Sequence, residues 1–224
     1  DKLIAEIKEK AGYPILVCVD MENGFPGSEL KIPSQMAISS TNSEEMAYEF
    51  ARVSAIEAKN AGYNVVWGPV LDIASEGQLC KIARCYSDNI EEICKYGCAM
   101  IRGYQDEGMV VTAKHYPGAS DRLADTHMEP GYSDLSEEEL LSTDIRPYVE
   151  AMKKADLSGI MTMHCIYKKI DGENIGTMSP KIMQYIRDLG FDGLIMSDSL
   201  AMMAVVQKYG EKECLPLAIA AGND

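Results

Sequence analysis

The sequence predicts an α/β chain built on a parallel sheet, and two observations carry that reading. Five short apolar runs rich in β-branched residues recur along the 224 residues, at 15–20 (ILVCVD), 64–72, 109–115, 158–164 and 193–198. None alternates cleanly between apolar and polar, so each suits a strand buried on both faces. Helical patterns lie between the runs, and the resulting β-α order repeats about five times. A third observation bears on architecture. Asp20, Asp72, His115, His164 and Asp198 each close one run. Polar groups at every C-terminal strand end are what a (β/α)8, TIM-type barrel needs, whereas a doubly wound sheet gathers its ligand groups at one switch point.

The helices follow from local signals. Thr41 and Glu44 have capping-box spacing ahead of an amphipathic stretch to Ala61. Residues 90–107 read as a helix, and Ser136 with Glu139 opens another toward Ala155. Ser179-Pro180 is an N-cap and first-turn pair, with Gly190 as the stop. Residues 200–209 and 213–221 also read as helical. Five units cannot close an eight-stranded barrel. The chain stops at Gly222-Asn223-Asp224, after a helix, where a further strand is expected. The reading is therefore one partial barrel domain over 1–224, truncated at both ends.

Composition sets the function classes. An apolar content of 46% supports one sizeable core. A formal net charge of −14 argues against nucleic-acid partners and against a basic membrane-binding face. No apolar run is long enough to span a bilayer. Seven cysteines, an odd number without a CxxC pair, read as reduced thiols in a reducing, cytoplasmic compartment. The chain begins at Asp1 without an initiator methionine, so an upstream targeting segment could have been lost. No zinc spacing, GxGxxG or GxxxxGK[ST] is present, and no cofactor or metal is expected. Composition leaves the oligomeric state open.

The candidate residues each admit a plain and a chemical reading. Asp198, between an apolar run and a helical stretch, either caps that helix or presents a carboxylate at the rim. Asp125 and His127 stand two apart after the Pro117-Gly118 turn. They are either solvated loop residues or a pair in which the carboxylate orients the ring and sets its tautomer. Lys114 and His115 end a run, where a buried lysine needs a partner. A strand-end aspartate can supply it while both side chains meet a ligand. Arg84 either clamps a ligand or pins its own loop through Asp88, and a lone His164 in an apolar run reads as a satisfied core histidine.

Taken in order, these segments resemble one family. KHYPG…D…DTH (114–127) resembles the KHFPGHGD…DSH signature of bacterial β-N-acetylglucosaminidases of glycoside hydrolase family 3. VCVDMENG is similar to that family's DQEGG strand end, NVVWGPVLDIA to FAPVLDV, ARCYSDN to RSFGxDP, and the segment ending in MSDSLAM to one ending in FSDDLSM. The resemblance implies a barrel with about two strands before Asp1 and one after Asp224, and a retaining glycosidase acting on a carbohydrate. It implies Asp198 as nucleophile, His127 as general acid/base with Asp125 as its partner, and Asp20, Arg84, Lys114 and His115 as sugar-binding residues. Most retaining glycosidases use two carboxylates; the resemblance puts a histidine in one of those places. The departures are Gly118-Ala119-Ser120 for GHG, Glu22-Asn23-Gly24 for EGG, Ser28 for a sugar-binding arginine, and Ser199 for the second aspartate of SDD. Glucosidase, xylosidase or phosphorylase relatives, and a non-catalytic sugar-binding barrel, are the alternatives.

Overall fold

The computed structural model describes residues 2–30, 33–73, 78–118 and 125–224. Residues 119–124, which include Ala119, Ser120 and part of the 114–127 signature, lie outside it. Five parallel strands form the main sheet: β1 (Cys18–Asp20), β2 (Val65–Val70), β3 (Val110–Tyr116), β5 (Gly159–Thr162) and β7 (Leu194–Ser197). Their order in the sheet, β1-β2-β3-β5-β7, follows the chain without reversal. A barrel wall is laid down in this way, and a doubly wound sheet is not, because it reverses order at its switch point. Each of the five predicted runs coincides with one of these strands, with β3 extending one residue past its run to Tyr116.

A second, two-stranded parallel sheet pairs β4 (Gly131–Ser133) with β6 (Cys165–Tyr167). The sequence pattern does not show it, since three residues are too few for a readable period.

The helices are α1 (Lys2–Ala11), α2 (Gln35–Ser39), α3 (Glu44–Asn60), α4 (Gln78–Lys81), α5 (Ile90–Asp106), α6 (Glu137–Ser142), α7 (Arg146–Ala155), α8 (Pro180–Asp188), α9 (Met203–Tyr209) and α10 (Cys214–Ala221). The Ser136–Glu139 capping box and the Ser179 cap form as the sequence predicts. Three expectations change. The cap of α3 is Ser43, whose side chain accepts from the Met46 amide, while Thr41 bonds back to Ile38 and so closes α2. The helix expected from Ser136 to Ala155 breaks at Thr143 into α6 and α7. The stretch from Leu200 becomes helical only at Met203.

The main core lies between the sheet and helices α3, α5, α7 and α8. On α3, Ala47, Ala51, Ala55 and Ala58 are all buried on one stripe. Small residues there let α5 approach closely, and any side chain at Gly103 would run into the Tyr48 backbone. This packing sets the outer layer against β2 and β3, whose C-terminal ends carry the site.

Candidate active site

The C-terminal ends of the five main strands open into a cavity of about 480 Å³, within the size range of small-molecule sites. Of the seven site residues read from the sequence, Asp20, Arg84, Lys114, His115, His127 and Asp198 line this cavity. Asp125 stands behind His127, bonded to it. Trp67, Met161, Met163, Leu200 and Met202 supply the apolar wall.

One side of the cavity is a lattice of charges, buried or half-buried except for the exposed Asp20. Lys114, only 4% exposed, reaches Asp20 Oδ1 and Glu22 Oε1, both at 2.7 Å. An ammonium has three donors, and these two carboxylates use two of them. Arg84 lies after the turn that follows α4, with Ala83 in the left-handed region at φ 59°. Its guanidinium grips the Glu22 carboxylate twice, Nε to Oε2 and Nη2 to Oε1, each at 2.6 Å. Arg84 thus pairs with Glu22 rather than with Asp88. Burial by itself would raise the Glu22 carboxyl, but hydrogen bonding to Arg84 and the charges of Lys114 and Arg84 outweigh it and hold the group at about 2. Burial disfavours the Arg84 cation, yet Glu22 holds it above its ordinary value.

His115 is fixed from two sides. Its Nδ1 and backbone N–H both donate to Asp72 Oδ2, at 2.7 and 3.2 Å, and the Asp72 side chain is fully buried. With Nδ1 donating, Nε2 turns a lone pair toward Arg84 Nη2, 3.5 Å away. Consecutive side chains of a regular strand point to opposite faces. Lys114 and His115 nevertheless both line the cavity, at a place where the pairing of β3 with β5 slips register between Lys114 and Tyr116.

The opposite wall carries the remaining groups. Asp198 follows β7 and accepts the Ser199 amide on Oδ1 at 2.7 Å. It does not cap α9, which starts five residues later with Met202 at its cap. His127 Nδ1 lies 2.6 Å from Asp125 Oδ1, which also accepts the His127 amide at 3.0 Å. A carboxylate only accepts, so Nδ1 carries the proton and Nε2 is left to exchange one. Bonding from His127 holds Asp125 below the usual carboxylate range. The Met203 amide donates to the His127 carbonyl at 3.1 Å and ties this loop to the start of α9.

His164 is buried, with Thr177 Oγ1 2.9 Å from Nδ1 and the Ser199 carbonyl 3.0 Å from Nε2. Burial pushes its ring below the usual histidine range. Glu22 and Asp72 are the residues that sequence reasoning did not assign to the site. One signal for Glu22 was available: two buried cations, Lys114 and Arg84, need more than one carboxylate, and Glu22 stands two residues beyond Asp20. Among the described residues no group of three or more His, Cys, Asp or Glu is placed to hold a metal. Among them, too, no helix is long and apolar enough to cross a membrane.

A parallel sheet in chain order, with charged groups converging beyond its C-terminal strand ends, defines a barrel that binds a small polar molecule at its rim. Comparison with known proteins gives the family: residues 2–224 match the model of the glycosyl hydrolase family 3 N terminal domain, and the chain belongs to that family. A β-hexosaminidase of Haemophilus influenzae is 30% identical over 234 residues, covering 100% of this chain and 66% of its own length. One of Idiomarina loihiensis is 30% identical over 232 residues, covering 100% and 69%. The solved family 3 β-N-acetylglucosaminidase of Paenibacillus sp. str. FPU-7 superposes with a TM-score of 0.93 at 29% identity, over 100% of this chain and 44% of that one. The chain thus spans about two thirds of these curated relatives and less than half of the solved protein.

Proposed function

We propose that the protein is a retaining glycoside hydrolase that releases terminal β-linked N-acetylglucosamine from cell-wall fragments or related glycosides. One observation carries the reading: Asp198 and His127 line the same cavity, and His127 is backed by Asp125. The names of the relatives support the sugar, since two β-hexosaminidases and a β-N-acetylglucosaminidase match the whole of this chain.

In this reading Asp20, Arg84, Lys114 and His115 bind the sugar. An Asp198 oxygen attacks the anomeric carbon. As the bond to the leaving oxygen breaks, His127, protonated on both nitrogens, gives its Nε2 proton to that oxygen. The sugar is then held as an ester on Asp198. Water enters, His127 Nε2 takes one of its protons, and the hydroxide attacks the anomeric carbon. The carboxylate leaves, and His127 is again protonated at Nε2. A cytoplasmic setting is part of the proposal and rests on the seven unpaired cysteines.

Turnover of an aryl N-acetyl-β-glucosaminide tests the assignment. Asp198→Ala should lose about 10⁴-fold or more in kcat, and His127→Ala about 10²- to 10⁴-fold. A 2-fluoro sugar should leave its adduct on Asp198. Undiminished turnover in either variant removes the assignment.

A further inference from the structure

His164 takes no part in the steps above, yet it is buried at the rim with both ring nitrogens engaged. The Ser199 carbonyl can only accept, so Nε2 carries the proton; burial disfavours the doubly protonated ring, so Nδ1 is the acceptor. Thr177 lies within reach of both that nitrogen and the Met163 carbonyl, and its single hydroxyl proton goes to the ring. Behind Thr177 stands Thr162, whose one hydroxyl proton is shared between Thr177 Oγ1 at 3.0 Å and Asn223 Oδ1 at 3.2 Å. The Asn223 amide is anchored in turn on the Thr177 and Ala218 carbonyls. His164 is therefore the end of a buried polar chain whose outer link is one backbone carbonyl.

That carbonyl sits in a short turn with two attachments. At one end the Ser199 amide holds the Asp198 carboxylate at 2.7 Å. At the other, the Met203 amide holds the His127 carbonyl at 3.1 Å. Between them the Met202 amide closes the turn on the same Ser199 oxygen, at 3.1 Å. Asp198 and the His127 loop are thus tied to one bracket of five residues. The bracket is joined to the sheet by the Asp198 amide, which donates to the Thr162 carbonyl at 3.3 Å, and by His164.

We propose that His164 is a positioning residue: by gripping the Ser199 carbonyl it fixes the turn that sets the Asp198 carboxylate and the His127 backbone relative to each other. The inference rests on the glycosidase reading of Asp198 and His127. A displacement of about 1 Å at reacting groups can cost about 10²-fold in rate, which sets the scale.

Two variants separate the two ends of the ring. An asparagine amide reaches only as far as Nδ1, so His164→Asn keeps a partner for Thr177 and drops the Ser199 carbonyl. A glutamine amide reaches as far as Nε2, so His164→Gln keeps the donor to Ser199. On an aryl N-acetyl-β-glucosaminide, His164→Asn should lose about 10²-fold in kcat with KM within about twofold, and His164→Gln should recover most of that loss. Near-normal kcat in folded His164→Asn overturns the proposal, as does a glutamine variant no better than the asparagine one. A readout independent of both variants is the nitrogen-15 spectrum of the wild-type histidines. It should show His164 as the neutral Nε2–H tautomer, with that proton protected from exchange; an Nδ1–H tautomer overturns the proposal. Asp198→Ala is assayed alongside. If wild type does not cleave the glycoside, or Asp198→Ala does so equally well, the glycosidase reading falls, while the tautomer still decides whether His164 holds Ser199.

Discussion

The two halves of the site are built in opposite ways. The Glu22–Arg84–Lys114 cluster is tucked into the rim, and each of its charges is met by another, with Glu22 only 12% exposed. The Asp125–His127 pair stands in the open, 48% and 63% exposed, and its bonds are mostly within its own loop. The first half costs desolvation and is held together by short charge-assisted bonds. It is preorganised, as binding of a polar ligand requires. The side chains of the second half, unlike their backbone, have little to lose in stability by moving. In the proposed function His127 gives a proton to a leaving oxygen and then takes one from water, which asks for reach into solvent more than rigidity. In the proposed function the buried charges recognise the sugar, while the exposed side chains of the second half carry the proton on a backbone tied to the start of α9.

The contrast can be broken or sharpened on a single scale, thermodynamic stability. The largest effect belongs to Glu22→Gln, which leaves Arg84 and Lys114 short of a buried counter-charge. It should cost about 3–5 kcal/mol by denaturant unfolding and, in the proposed function, raise KM, because Lys114 and Arg84 lose their fixed positions. A loss below about 1 kcal/mol would show that the lattice is not what holds the rim.

Acid comes next. The Glu22 carboxyl lies below its ordinary 4.5, at about 2 in the folded chain. The unfolded chain therefore binds the proton first as pH falls. The contribution of Glu22 is fully present above pH 4.5 and lost as pH falls through about 2. A shift of this size corresponds to roughly 3 kcal/mol. Unfolding free energies measured across that window in wild type and Glu22→Gln should converge toward its acid end.

The smallest effect on stability is at the exposed pair. Asp125→Asn should change unfolding free energy by no more than about 0.5 kcal/mol, as surface substitutions do. In the proposed function it should still lower kcat by about tenfold or more, since the ring loses the carboxylate that sets its tautomer. A destabilisation comparable to that of Glu22→Gln would erase the distinction between the halves.

Much of this is legible in the sequence, and particular residues show why. The Ser136–Glu139 box and the Ser179-Pro180 cap act over three or four residues, so the sequence displays them whole. The choice of Ser43 over Thr41 was not legible, because both hydroxyls suit a cap and only the path of the chain between α2 and α3 decides. Asp20, Lys114, His115 and Asp198 stand out as polar groups ending apolar runs, and all four line the cavity. Arg84 was visible but its partner was not: Glu22 lies 62 positions away, and the nearer Asp88 looked as suitable. The β4–β6 sheet stayed hidden because three-residue strands have no period to read.

By itself, then, the sequence determined the order of the five main strands and the longer helices between them, the strand ends that carry charge, and the family. These depend on local propensity, on burial pattern and on motif spacing. Only the tertiary structure decided which charges neutralise one another, that Lys114 and His115 share a face, and that His164 meets the turn linking Asp198 to the His127 loop. Those facts depend on distances between residues far apart in the chain, and such distances exist only once the sheet has brought its strand ends to one rim.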